Sequence, residues 1–222
     1  MQTTFSGIFT LFYSIFIVFY WNSHIFINMK IIITESQLEK ILLSESEQEW
    51  KDKVKEFKKE VSKISERVDN VGIGSSVATF LTRISATESC YGLNKSNGKN
   101  NIYQVDKTAF DDTQDTKSHP GLVDKFKKIE NKTGIVWSGE TYSDIRNDKF
   151  KNGIAARLLL GNKPGKIPSD LKGQASYWKK YYNSSSGKGG EQDFIDKNEG
   201  EGLEHCKFYG KNEIDKTKKK KT

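Results

Sequence analysis

The segment Asn152-Gly-Ile-Ala-Ala-Arg-Leu-Leu-Leu, ending at Leu160, limits the fold more than any other part of the chain. Ile154, Ala155, Ala156, Leu158, Leu159 and Leu160 spread around the whole circumference of a helix rather than along one stripe. A helix that is apolar on nearly all sides has to be enclosed by other elements, so this one is expected at the centre of a helical domain. The chain must then supply amphipathic partners to surround it.

Several segments qualify. Residues 77–87 read as a buried helix through Val77, Ala78, Phe80, Leu81 and Ile84, with Arg83 reaching water. Residues 122–132 restart the helical pattern at Leu122, Val123, Phe126 and Ile129, and Gly134 stops it. Residues 170–182 place Leu171, Ala175, Trp178 and Tyr182 on one side, and Phe194 and Ile195 add a last apolar contact. The connections at 91–101, 161–168 and 183–190 are rich in Gly, Asn, Ser, Lys or Pro, which is loop chemistry. Residues 102–110 alternate apolar and polar and fit either a strand or the start of another helix.

Ahead of this domain, residues 44–69 carry the cleanest periodicity. Trp50, Val54, Phe57, Val61, Ile64 and Val68 are spaced alternately by four and three, with charged residues between them. So narrow a seam packs on the following domain or self-associates with a second copy through 50–68; the repeat is short, which favours packing. Asn70, Gly72 and Gly74 then mark a boundary. Further upstream, residues 5–27 are apolar and aromatic, just long enough to anchor in a membrane. They lack the positive start and cleavage site of a secretory signal. The alternative is translation from Met29, with Thr34 or Ser36 capping a helix that begins there. The expected organisation is therefore a hydrophobic segment over 1–28, a charged amphipathic helix over 29–69, a mainly α domain over 70–198 and a disordered basic tail over 199–222.

Charge and cysteine content narrow the partners. With 36 Lys+Arg against 29 Asp+Glu the net charge is +7, which favours anionic partners: nucleic acid, a membrane surface or a wall polymer. The lysine-rich end at 211–222 would give salt-dependent nucleic-acid binding, although a solvated tail is the simpler reading. Cys90 and Cys206 form no disulfide framework and read as two unrelated thiols. His24, His119 and His205 share no metal-ligand spacing, so no metal or other cofactor is expected. Gly187-Lys-Gly-Gly lacks the rest of a phosphate loop, and no nucleophile-elbow pattern occurs.

The candidate chemistry centres on Glu88, at the end of the helix over 77–87. Burial against apolar groups raises a carboxyl pKa, and such an acid can protonate a poor leaving group such as a glycosidic oxygen. Glu88-Ser89 followed by Asn101-Ile-Tyr-Gln-Val-Asp106 resembles the Glu-Ser … Gly-Leu-Met-Gln-Ile pattern of lytic transglycosylases with the lysozyme-like fold. Asn152-Gly-Ile-Ala-Ala-Arg-Leu-Leu-Leu is similar to that family's central helix, and Tyr182-Asn183-Ser-Ser-Ser-Gly to its Tyr-Asn segment. The pieces fall in the family's order over about 80–195 and look closest to phage-associated wall-degrading domains. The Glu88–Gln104 spacing is slightly shorter than usual, Asn101 replaces a common Gly, and Ser-Ser-Ser-Gly replaces Ala-Gly.

What the resemblance implies is cleavage of the β-1,4 bond between N-acetylmuramic acid and N-acetylglucosamine in peptidoglycan, at a bacterial envelope or from a virion. Glu88 would be the acid and then the base, activating either the sugar 6-hydroxyl or water. Ser89 and Gln104 would hold the sugar or the acid, Tyr182 would stabilise the oxocarbenium-like transition state, and Asn183 would shape the groove. Tyr103 and Tyr91 would line it as stacking surfaces, and Asn152 would orient a loop. A lysozyme-type hydrolase of the inverting kind needs a second carboxylate, for which Asp106, Asp111 and Asp112 are the nearest candidates. A single-acid transglycosylase is the favoured expectation; a non-catalytic wall- or virion-binding protein that keeps the fold is the rival.

Overall fold

The structure is a computed structural model that describes residues 34–95, 100–183, 187–200 and 203–219. The apolar run at 5–27 and the alternative start at Met29 lie outside the described residues. Among the described residues all regular structure is helical: α1 (Glu35–Asp69), α2 (Ala78–Ser89), α3 (Lys107–Asp112), α4 (Leu122–Thr133), α5 (Tyr142–Asn147), α6 (Lys149–Gly161), α7 (Leu171–Tyr181), α8 (Glu191–Asn198) and α9 (Lys207–Lys219). No helix among them is long and apolar enough to cross a membrane. The ambiguous stretch at 102–110 resolves as an irregular turn leading into α3, whose first amides are capped by Asp106.

The chain divides into two units, residues 1–44 and 45–222. In the first, Thr34 caps α1 as its sequence suggests: its hydroxyl accepts from the Gln37 amide at 3.3 Å, and the Gln37 side chain accepts from the Thr34 amide at 2.9 Å. This is a reciprocal capping box.

The second unit holds the core, and α6 runs through it. Every residue from Phe150 to Leu160 except Lys151 is buried. Asp148 starts the helix by accepting from the amides of Phe150 and Lys151. Arg157 is a buried charge within this helix, and it donates to the Ser75 carbonyl at 2.9 Å. Gly153 allows a close approach: a Cβ there would come within 2.7 Å of Val68 and 3.1 Å of Tyr103. The seam of α1 packs into this same core, with Trp50, Val54, Val61 and Val68 fully buried and Phe57 and Ile64 against it. The boundary expected at residue 70 is therefore too late, because α1 from residue 45 belongs to the same unit. Of the two arrangements that the seam's spacing allows, the structure shows packing on its own unit.

The C-terminal segment differs from the expected disordered tail. Leu203, Cys206 and Ile214 are buried along one side of a short 3-10 turn (Glu204–Cys206) and α9, and buried Gly210 lies against Trp50 and Val54. Lys95 bridges to Glu213 at 3.0 Å and Lys207 to Glu47 at 2.8 Å. The 3–4–4 spacing of these four small and apolar residues is an amphipathic stripe, hidden in the sequence by surrounding lysines.

Candidate active site

The end of α2 is bent to bring a distant loop beside it. Cys90, Tyr91 and Gly92 take φ values of 49°, 58° and 85°, so the chain turns back directly after Ser89. Gly92 is required twice over, by its φ and because a Cβ would lie 2.6 Å from Ile102. Ser89 fastens the turn: its hydroxyl donates to the Ile102 carbonyl at 2.6 Å and accepts from the Gly92 amide at 2.8 Å.

Asn152, at 0 % exposure on α6, holds the same loop from the other side. Its Oδ1 accepts from the Tyr103 amide at 2.9 Å and its Nδ2 donates to Asn101 Oδ1 at 2.8 Å. Asn101 in turn donates to the Val105 carbonyl at 3.0 Å. Gln104 takes a left-handed φ of 52° within this turn, and its Nε2 donates to the Asn101 carbonyl at 2.8 Å. A non-glycine residue in that region is uncommon and here is held by its neighbours.

Glu88 lies at this junction, partly exposed. The Trp178 indole N–H, from α7, donates to Glu88 Oε1 at 2.8 Å. Oε2 has no hydrogen-bond partner among the described residues. Desolvation by the surrounding core raises the Glu88 pKa; the Trp178 bond and the positive charge of Lys197 pull against it without cancelling it. Trp178 is itself buried, packed at 5.3 Å in a tilted pair with Phe194 of α8, which meets Phe80 of α2 at 6.1 Å. Three helices thus fix the indole that fixes the acid.

Tyr182, four residues after Trp178, donates its hydroxyl to the Tyr103 carbonyl at 2.7 Å. Burial raises its pKa well above the phenol range, and the nearby Glu88 carboxylate adds to this.

The residues named from sequence divide clearly. Glu88, Tyr182 and the 101–105 turn come together from separate stretches, and Asn152 orients the loop. Ser89 was expected to hold sugar or acid, but it is 1 % exposed and its hydroxyl is engaged by backbone. Tyr103 was expected to line the groove, but its ring is wholly buried with its hydroxyl 2.9 Å from Ser65. Tyr91, at 2 % exposure, offers no stacking surface either. Asn183 acts on its own loop, donating to the carbonyls of Lys188 and Gly189 at 2.8 and 3.2 Å. Gln104, partly buried, supports the turn.

Trp178 is the site residue that sequence reasoning left among the packing positions. Its signal was present: four residues before Tyr182, it shares that residue's helical face. The candidate second carboxylates are otherwise engaged. Asp106 caps α3 through the Ala109 amide at 2.7 Å, Asp111 pairs with Lys107, and Asp112 pairs with His119 at 2.9 Å and Lys163 at 3.5 Å. Burial pushes the Asp112 pKa up, but His119 and Lys163 outweigh it and hold it low. A cavity of about 320 Å³ lined by Lys58, Glu66, Thr82, Arg83, Tyr91 and Asn198 does not include Glu88.

The two cysteines are not unrelated. Cys90, Cys206 and His205 bring their sulfur and nitrogen atoms within 4.8 Å of one another, a grouping that spacing along the chain could not reveal. No family model matches the chain, and no curated protein or solved structure is significantly similar to it.

Proposed function

We propose that the protein is a peptidoglycan lytic transglycosylase of lysozyme-like fold that cleaves the β-1,4 bond between N-acetylmuramic acid and N-acetylglucosamine with Glu88 as its single acid and base. The observation that carries this reading is a carboxyl with a raised pKa, held at one oxygen by the Trp178 indole and left open at the other. Such a group is protonated further toward neutrality than an ordinary glutamate, as general acid catalysis requires.

In the first step Glu88 Oε2 gives its proton to the bridging oxygen as the bond to C1 of the muramic sugar breaks. Positive charge then develops on the ring oxygen and C1, and the Tyr182 oxygen, its own hydrogen directed to Tyr103, opposes that charge. The Glu88 carboxylate next takes the proton of the same sugar's 6-hydroxyl, whose oxygen closes on C1. The product is a 1,6-anhydro sugar, and no water is consumed. The engagement of Asp106, Asp111 and Asp112 by capping and ion pairs supports a single-acid route over an inverting one, which needs a second free carboxylate to activate water.

Purified sacculi digested by the protein should release anhydro-muropeptides, read by mass spectrometry. Glu88→Gln should lower the release by about 10²–10⁴-fold, the usual contribution of a positioned acid, while circular dichroism stays native. Reducing-end products alone would replace the transglycosylase with a hydrolase. Unchanged lysis by Glu88→Gln would remove Glu88 from the mechanism.

A further inference from the structure

We infer that Cys90 and Cys206 are a redox pair that forms an intramolecular disulfide, stapling the start of α9 to the end of α2. Both thiols are buried, at 5 % and 0 % exposure, and their sulfurs face each other together with His205. They come from positions far apart in the chain, so chance adjacency along the sequence does not explain the pairing.

The same three side chains could be read as a metal site, and the geometry at His205 speaks against that. Its Nε2 lies 3.0 Å from the Ala86 carbonyl, which can only accept, so Nε2 carries the hydrogen and has no lone pair for a metal. That N–H also faces Cys206 Sγ at 3.2 Å. Even counting Nδ1, which then keeps its lone pair, two thiolates and one imidazole nitrogen fall short of the four donors of a closed structural zinc site. Two facing thiols with a neighbouring N–H are instead suited to thiol–disulfide exchange.

The pair is asymmetric. Cys90 is the thiol with some access to solvent, and the donors Cys206 and His205 beside it favour its thiolate, whereas burial pushes the Cys206 thiol up. Cys90 is the attacking sulfur. Its thiolate displaces one thiolate from a low-molecular-weight disulfide, forming a mixed disulfide at Cys90. Cys206 then attacks the Cys90 sulfur, gives its proton to the thiolate first released, and expels the second half as a thiolate, which takes from solvent the proton that Cys90 lost on ionising. Two protein thiols and one small disulfide become one protein disulfide and two small thiols.

The bond would close a loop of more than a hundred residues and constrain the unfolded chain accordingly. It requires nothing of Glu88 and stands or falls apart from the glycan reading.

The test uses the full chain equilibrated with reduced or oxidised glutathione, then alkylated and analysed by intact mass and peptide mapping. The expected result is one peptide pair joining Cys90 to Cys206 in the oxidised sample, with no alkylation of either thiol. The melting temperature should rise by on the order of 10 °C and fall back with dithiothreitol. Cys90→Ser and Cys206→Ser should each lose the response; the comparison of oxidised with reduced wild type stands even if a variant folds poorly. Both thiols alkylated after oxidation, a glutathione adduct that persists on Cys90, or disulfide-linked dimers would overturn the inference. So would stoichiometric zinc in the purified protein that is lost in Cys90→Ser.

Discussion

Glu88 is set by two opposing influences, and each can be changed alone. Desolvation raises its pKa and the Trp178 bond lowers it, so Trp178→Phe should raise it further. The alkaline limb of the pH–activity profile for muropeptide release should then move to higher pH, at a stability cost of about 1–3 kcal/mol for the lost bond and volume. The same shift makes a stability prediction. A group whose folded pKa is raised stabilises the fold fully below its unfolded pKa and loses that contribution as pH rises through the folded value. Glu88→Gln should therefore melt above wild type at neutral pH, with the difference vanishing in acid below the ordinary carboxylate range. At this scale the sequence was only half legible. Glu88 and Tyr182 could be named from motif order, and Trp178 from its helical face. The buried fates of Ser89 and Tyr103 could not, because their partners are a backbone carbonyl and a serine hydroxyl that become neighbours only on folding.

Among the elements, α6 was the most legible, since apolar residues on all sides leave a helix nowhere to lie but inside. What the pattern does not disclose is that α6 also carries the pin for the 101–105 turn. Asn152→Ala should remove the acceptor of the Tyr103 amide and the donor to Asn101 Oδ1, costing about 2–4 kcal/mol by denaturant unfolding. Because Tyr182 is anchored on the Tyr103 carbonyl, activity on sacculi should fall more steeply than stability alone predicts. Replacement by Asp keeps the acceptor for Tyr103 and should recover part of both. The α1 seam was equally plain as a stripe but silent on its partner: heptad spacing is the same whether the facing surface belongs to the same chain or to another.

At the level of the whole molecule, composition and pattern point in opposite directions for the C-terminal segment. Lysine and glycine suggest a solvated tail, yet Leu203, Cys206, Gly210 and Ile214 fit one face of a helical stretch. Deleting residues 203–222 should cost about 3–6 kcal/mol, taking Leu203 and Ile214 at about 1.5–3 kcal/mol each, and should redden Trp50 fluorescence in a chain that still folds. Gly210 against Trp50 has a consequence for synthesis as well. Residues near the front of the unit are covered by residues made near its end, so a ribosome must deliver almost the whole unit before the α1 seam is closed. Until then Trp50 and Val54 are exposed on the nascent chain. The protein is accordingly expected to complete its folding only late in translation, and to depend on holding chaperones while it waits.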